Sequence, residues 1–528
     1  MISLHQISYI HPNRDLLFEN INLTVNAHEK VALIGNNGVG KSTLLRLITG
    51  SLLPAEGTVQ VHTAPYYVPQ ITGQLNEFTV AQALGIEQKL TAFHAILKGD
   101  ASEQNFNLLQ DDWTLEDRCK EAFDYWKIPE VLLTKKMDDL SGGQKAKVML
   151  AGIQVHQSEL ILLDEPSNHL DLESKNLLYE WIVSSKNTIV AVSHDRTLLD
   201  LLEDTLEMIP GGIKRYGGNY TFYEAQKNIE RNAMQQDIHH QEKAIRVAKE
   251  KEREALERQN RLNNRGHKKQ EKAGVARIMM NTLRNNAEKS TAKIKNVHQD
   301  KIEGFRANLQ ELRNAQAAFD EIKIDLENGS LPFGKNIIKA EDINYSYGVR
   351  NLWEENVQLQ IVSGDRIALT GRNGSGKTTL VKLLLGQLTP SNGRIVRQHF
   401  TYSYLDQDYS IVDSTLTVYE QAQRYNSAAL AEHEIKIRLN RFLFGKEDWD
   451  KACGLLSGGE KMRLIICCLT IQQQTPDLII LDEPTNNLDI QNIRVLTRAI
   501  RQYKGTVLVI SHDEVFVKDI GIGRSIRL

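Results

Sequence analysis

The chain has 528 residues, 41% of them hydrophobic and 25% charged, with a formal net charge of -3. That length fits two domains of about 200 residues plus an insert, and the net charge points to no partner because it hides an uneven distribution. The longest apolar run, Leu464–Ile471, is far short of the ~18 residues of a membrane span. MISLHQISY lacks the basic and apolar blocks of a secretory leader. Four cysteines without ligand spacing read as reduced thiols, so a cytoplasmic protein with no membrane partner is expected.

In chain order, an opening segment, Ile7–Asn20, precedes a short apolar strand at Val31–Ile34. That strand runs into Gly35-Asn36-Asn37-Gly38-Val39-Gly40-Lys41-Ser42-Thr43 and then a helix. Glycines let backbone N–H groups face an anion, and the helix N-terminus adds its positive end, which makes a phosphate cradle. Lys41 is assigned to the β- and γ-phosphates of ATP and the Ser42 hydroxyl to Mg2+. Gln70, after an aromatic-rich strand, offers an amide oxygen to the cation or its water. Lys41 to Ser141 is 100 residues, whereas the matching span later in the chain is 80; the surplus, within Ile86–Tyr125, is expected as a short arm-like excursion. Ser141-Gly142-Gly143-Gln144 then opens a helical sequence and forms a second anion-seeking helix start. Leu160–Asp164 is a continuous apolar run suited to a central parallel strand. Asp164 leaves its carboxyl end, where ligands bind in open α/β sheets, and is assigned to Mg2+. Glu165 points differently because strand side chains alternate, and is placed to deprotonate the water attacking the γ-phosphate. His194, after a third apolar strand, reaches the γ-phosphate.

From about Tyr223 to Ile322 there is no proline, and Gln, Glu, Lys, Arg and Ala dominate. Ile302, Phe305, Leu309, Leu312 and Phe319 follow helical spacing, interrupted by Gln316; a weaker stripe runs Met234, Ile238, Ile245, Ala248, Ala255, Leu262. Two antiparallel helices of ~40 residues, each reaching about 60 Å, are predicted. Asn263–Ala287, with Gly266 and Gly274, is expected as the connection. Between Arg258 and Lys295 eleven basic residues face only Glu271 and Glu288, a net charge near +9. One-signed charge at a protruding tip is a footprint for nucleic acid, although polyanion contact alone does not separate DNA from RNA.

The second half repeats the first. Ile343–Asn356 lies over Ile7–Asn20, and a strand at Ile367–Leu369 leads into Gly371-Arg372-Asn373-Gly374-Ser375-Gly376-Lys377-Thr378-Thr379. Gln407, Ser457-Gly458-Gly459-Glu460, Asp482, Glu483 and His512 follow in the same order, with Thr378, Gln407 and Asp482 assigned to Mg2+ and Glu483 and His512 to catalysis. Each half therefore carries two phosphate-seeking helix ends, which one fold cannot readily turn on one ATP. Head-to-tail pairing resolves this: Ser457 closes over the nucleotide on Lys41, and Ser141 over that on Lys377. ATP would hold the halves together and hydrolysis would release them.

These strings resemble the ATP-binding-cassette ATPases, with Walker A, Q-loop, signature, Walker B, D-loop and H-switch each present twice. EPSNHLDL and EPTNNLDI on one two-cassette chain resemble the ABC-F family in particular, over essentially the whole length. The resemblance implies an α/β fold of two P-loop NTPase domains, 1–222 and 331–528, joined by a helical-hairpin linker at 223–330. It implies a monomer whose cassettes pair around ATP, with Asp171 and Asp489 as D-loop aspartates communicating between the sites. It further implies an ATP-hydrolysing translation factor that enters the ribosome at the E site, against ribosomal RNA, and touches P-site tRNA. The residues in the contacting positions here are Arg258, Arg261, Arg265, Lys268, Lys269, Lys272, Arg277 and Arg284, with Ile278, Met279 and Met280 as apolar wedges. The adenine-stacking aromatic of such cassettes matches Tyr347, whereas the same register gives His11 in the first half, with Tyr9 the nearest alternative. A ribosome-protecting antibiotic-resistance protein shares this architecture. A transporter's ATPase subunit would have a short linker, and a DNA-associated ATPase would split one head around its coil.

Overall fold

A computed structural model describes residues 1–70, 73–100, 102–209, 211–272, 296, 299–313, 331–348, 350–486 and 488–528, and no side chains at 263 or 266–272. Two units result: Met1–Thr221 with Ile322–Leu528, and Phe222–Glu321. In the first unit each half repeats one scaffold. Strands Leu16–Val25, Ile2–Ile10 and Glu56–Val61 form an antiparallel sheet with Ile2–Ile10 central. A second sheet has the spatial order Pro65–Val68, Leu160–Asp164, Thr188–Val192, Lys30–Ile34, Asp204–Ile209, Gly212–Tyr216, parallel except for its last strand. The later half has the same five parallel strands in the same order: Tyr402–Leu405, Leu478–Asp482, Thr506–Ile510, Arg366–Thr370, Arg524–Arg527. Its antiparallel sheet is Val357–Val362, Asn336–Asn344, Asn392–Arg397.

The helix after each glycine-rich loop is buried where the two sheets face one another. Leu44, Leu45, Leu47 and Ile48 of helix Lys41–Ile48 pack with Ile2, Leu4, Ile7 and Phe18 on one side and Val31, Leu33, Leu162 and Val190 on the other. Leu380, Val381, Leu383 and Leu384 do the same in the second half. Strands Leu160–Asp164 and Leu478–Asp482 are buried at every position, as expected of runs covered on both faces. This packing fixes the strand ends, and with them every loop that carries a polar motif. The expected surplus of the first half is helical: Glu87–Leu97, Glu103–Leu109 and Leu115–Tyr125 stand where the second half has Glu432–Arg441. Phe93, Phe106 and Trp113 meet within it at 6.2–6.4 Å. All four cysteines are buried and unpaired.

A helix runs from Tyr220 to Lys272, 53 residues, or about 80 Å at ~1.5 Å per residue, all but its first two residues in the second unit. This corrects two expectations. The helix is longer than ~40 residues, and 263–272, expected as the start of the connection, continues it. Gly266 costs only about 1 kcal/mol against alanine in a helix, and the surrounding Lys, Arg and Gln are good helix formers. A second helix includes 299–313. Ile238, Ala248, Ile302 and Leu309 of the expected stripes are buried, and Arg313 Nη2 lies 2.7 Å from Glu242 Oε1, joining the two helices. Leu262, however, is 54% exposed. Phe319, Gln316, Gly274, Arg277, Ile278, Met279, Met280 and Arg284 lie outside the described residues, as do the side chains of Lys268, Lys269 and Lys272; Arg258, Arg261 and Arg265 are exposed.

Candidate active site

The geometry of each glycine-rich loop follows from contacts that forbid a side chain. Gly40 has φ 104°, and a Cβ there would stand 2.8 Å from the Phe18 ring; at Gly376, φ 91°, it would meet Leu352 at 2.6 Å. The first loop therefore closes onto strand Leu16–Val25 of the antiparallel sheet, and the second onto Leu352, ahead of strand Val357–Val362. Lys41, only 7% exposed, donates from Nζ to the carbonyl oxygens of Gly35 at 2.7 Å and Asn36 at 3.1 Å. Lys377 repeats this with Gly371 at 2.8 Å and Arg372 at 2.9 Å. Burial lowers both lysines against nearby carboxylates that raise them.

Around Lys41 a cavity of about 370 Å³ gathers most of the residues the motifs predict. His11, Asn37, Gly38, Gly40, Ser42, Thr43, Gln70, Asp164, Glu165 and His194 line it, with Leu17, Asn168 and Val192. His11, not Tyr9, is thus the ring at this site; the two meet edge to face at 5.6 Å. Tyr347 in the second half is 65% exposed and its hydroxyl lies 3.2 Å from Thr379 Oγ1. Gln407 is exposed.

Both catalytic candidates sit in left-handed backbone, Glu165 at φ 52° and Glu483 at φ 48°. Glu165 Oε2 accepts from the His194 backbone N–H at 3.3 Å, and Oε1 lies 3.3 Å from the imidazole Nε2. The Glu483–His512 distances are 3.4 and 3.5 Å. Burial pushes Glu165 up to about 8 and Glu483 to about 7. Burial, and then the nearby phosphate-loop lysine, push His194 down to about 3 and His512 to about 4. Each contact therefore joins a carboxyl group to a neutral ring, not an ion pair.

Thr378 donates to Asp482 Oδ2 at 3.1 Å, and the Ser42 hydroxyl bonds Asp164, helping to oppose the upward push of burial on that carboxyl. Asp164 Oδ1 is buried without a hydrogen-bond partner. A free carboxylate oxygen beside a hydroxyl fits Mg2+, which takes few protein ligands and completes its shell with phosphate oxygens and water. Among the described residues no group of three or more His, Cys, Asp or Glu could hold a metal ion. Sequence reasoning missed a further contact to these aspartates: Tyr67 donates to Asp164 Oδ2 at 2.9 Å and Tyr404 to Asp482 Oδ2 at 3.0 Å. The available signal was a tyrosine three residues before each glutamine.

The two halves face one another across the motifs. Asp489 Oδ2 accepts from the Asn37 backbone N–H at 3.3 Å, and Asn373 Nδ2 donates to the His169 carbonyl at 2.9 Å. A methyl group on Gly143 would stand 3.1 Å from that same Asn373 amide. Asp171 and Asp489 also cap the helices that follow them. Ser141 and Ser457 cap theirs through reciprocal bonds with Gln144 and Glu460, a pairing the sequence reading did not assign to those two residues. Charged contacts cross as well: Arg372 to Glu173 at 3.0 Å and Arg196 to Asp519 at 2.9 Å. Lys175, unremarked in the sequence, lies 3.4 Å from Asp195 in a nearly buried pair and is the largest charge opposing burial at Glu483.

A family model described as ABC transporter matches residues 18–168 and 355–486. The ATP-binding protein Uup of Haemophilus influenzae is 30% identical over 95% of this chain and 75% of its own length. An uncharacterized ABC transporter ATP-binding protein of Bacillus subtilis, YfmR, is 31% identical over 95% of this chain and 77% of its own. The probable ATP-binding protein YheS of Escherichia coli is 30% identical over 94% and 74%. Among solved structures, the archaeal ribosome recycling factor aABCE1, in complex with the ribosomal stalk protein aP1, matches with a TM-score of 0.61 over 99% of this chain and 87% of that one. A model of ribosome-bound archaeal Pelota and ABCE1 matches at 0.55, over 98% and 74%. At 20% identity in both cases the likeness speaks for the tandem-cassette fold alone. Among the described residues no helix is long and apolar enough to cross a membrane.

Proposed function

The chain belongs to the ABC-F type of ATP-binding-cassette ATPase, and on that premise we propose that it is a cytoplasmic, ATP-gated translation factor. It binds the ribosome at the E site in its closed state and acts on P-site tRNA through the linker. The observation that carries the gating is the pair of contacts Asn37–Asp489 and Asn373–His169, which put each phosphate loop against the opposite half. A ribosomal target is supported by the basic stretch Arg258–Lys295, which suits a polyanion, and by the archaeal proteins of similar fold, a ribosome recycling factor and a ribosome-bound ABCE1.

In this reading Lys41 and Lys377 leave their loop carbonyls to neutralise the β- and γ-phosphates, and the loop amides hold the remaining oxygens. Ser42, Gln70 and Asp164, and Thr378, Gln407 and Asp482, hold Mg2+ or its water. Bound there, the cation screens the charge of the triphosphate. Glu165 and Glu483 take the proton of the attacking water, while His194 and His512, kept neutral by burial, each donate from one ring nitrogen to the γ-phosphate. The Ser141–Gln144 and Ser457–Glu460 helix starts close each site from the other cassette, and Asp171 and Asp489 report across. Loss of the γ-phosphate then removes the bridge between the halves and releases the factor.

Replacing both Glu165 and Glu483 by glutamine should slow turnover ~100-fold or more and leave the protein on ribosomes in ATP. Sedimentation with ribosomes through a gradient reads this directly, with a chain lacking Arg258–Lys295 as the comparison. Normal release of the double variant refutes the gating. Equal co-sedimentation of the shortened chain refutes the linker's role.

A further inference from the structure

We propose that Tyr67 and Tyr404 are positioning residues for the cation-binding aspartates, setting which carboxylate oxygen faces the metal. The inference rests on reading Asp164 and Asp482 as Mg2+ ligands. Each tyrosine lies on the strand next to the aspartate's own: Tyr67 pairs with Leu162, two residues before Asp164, and Tyr404 with Ile480, two before Asp482. Side chains two apart on a strand share a face, and so do residues opposite one another on adjacent strands. The phenol therefore arrives on the side where the carboxylate emerges. Its O–H donates to Oδ2 at 2.9 Å in one cassette and 3.0 Å in the other.

The consequence differs between the two oxygens of each carboxylate. Asp164 Oδ2 is engaged by Tyr67, whereas Oδ1 is buried and without a partner. Asp482 Oδ2 accepts from both Tyr404 and Thr378, which uses the lone pairs on that atom and leaves Oδ1 for another ligand. A carboxylate pinned by one oxygen cannot swing about its terminal bond, so its free oxygen stays where a metal-bound water would meet it. Outer partners of this kind commonly set metal affinity.

A comparison within the chain separates this role from plain packing. Tyr66, the neighbour of Tyr67, points to the opposite face and donates to the Met149 carbonyl at 2.8 Å. Its counterpart beside Tyr404 is Ser403, so the core-facing tyrosine is exchanged between the halves. The carboxylate-facing one is present in both.

The test is Tyr67→Phe with Tyr404→Phe, which deletes only the hydroxyls, placed in the Glu165→Gln, Glu483→Gln chain so that nucleotide is not consumed. Binding of a fluorescent ATP analogue is followed as Mg2+ is added, and again in excess chelator. The Mg2+ midpoint should rise about 10-fold, with binding in chelator and the melting temperature unchanged. An unmoved Mg2+ midpoint overturns the proposal, as does a matching loss of metal-free binding, which would assign the hydroxyls to the fold. Asp164→Asn with Asp482→Asn is the control: if it leaves the Mg2+ midpoint in place, the ligand reading itself fails and takes the inference with it. Should the double tyrosine variant not fold, each single variant reads the same shift at one site against the other.

Discussion

If Tyr347 and His11 are the rings that stack on adenine, as the family resemblance implies, the two sites should bind ATP unequally. Tyr347 is 65% exposed, its hydroxyl is held at Thr379, and its ring rests edge-on against Tyr345 at 4.9 Å, so its orientation is set before nucleotide arrives. An adenine on one face would remove on the order of 40 Å² of apolar surface from the ring and as much from the base, worth about 2 kcal/mol at ~25 cal/mol per Å². That lies within the ~1–3 kcal/mol found for base–aromatic stacking. Tyr347→Ala, in a chain whose first site is disabled by Lys41→Ala, should therefore weaken ATP binding roughly 30-fold, at ~1.4 kcal/mol per factor of ten. The His11 imidazole is smaller and more polar, so about 1 kcal/mol is expected there. His11→Ala with Lys377→Ala should then cost roughly 5-fold. Titrations of a fluorescent ATP analogue measure both. Equal affinities for the Lys41→Ala and Lys377→Ala chains, or a loss below about 3-fold for Tyr347→Ala, would refute the stacking argument.

As the proposed general bases, Glu165 and Glu483 should make turnover sensitive to pH. Burial holds Glu165 at about 8 and Glu483 at about 7, and only the ionised carboxylate accepts a proton. Rates should rise with pH through those values and fall below them, with the rise at the first site lying above that at the second; flat profiles in chains with one working site would count against the assignment. Lys175→Met removes the largest charge opposing burial at Glu483, so the second site's rise should move to higher pH and its rate at neutral pH drop several-fold. A shift at the first site instead would confine Lys175 to its partner Asp195.

What could be read from the sequence was local, and what could not was distant. Strand, loop and helix around Lys41 and Lys377 are contiguous, so the expected Val31–Ile34 and Ile367–Leu369 reappear one residue longer at one end or both, as Lys30–Ile34 and Arg366–Thr370. The buried runs ending at Asp164 and Asp482 are legible for the same reason. Tyr67 and Asp164 are 97 residues apart, and nothing but the sheet order brings them together. Gly266 misled in the other direction, because a single glycine weakens a long helix without ending it. The capping role of Gln144 and Glu460 needed no distant contact. It is a Ser-x-x-Gln or Ser-x-x-Glu pattern, hidden behind the more prominent phosphate-binding reading of the same residues.

The duplication makes the least legible part of the molecule the part where its halves differ. At the positions matching Glu173 and Lys175, the second cassette has Gln491 and Ile493; opposite Arg372 the first has Asn36. The charged contacts Arg372–Glu173 and Lys175 toward Glu483 therefore gather around the Lys377 site. At the Lys41 site the crossing group is the Asp489 carboxylate, which accepts from the Asn37 backbone amide and is one of the charges that raise Lys41. A repeat built of equal motifs thus closes through unequal edges. Surface ion pairs such as Arg372–Glu173 add little by themselves, but Lys175 is nearly buried with Asp195, where removing one partner is costly. The weight of the difference accordingly rests on Lys175, whose carboxylate partner directly follows the first catalytic-site histidine, His194, while its charge reaches the second site's base. That placement gives one residue a stake in both sites, and it explains why a chain with two complete motif sets need not run them in step.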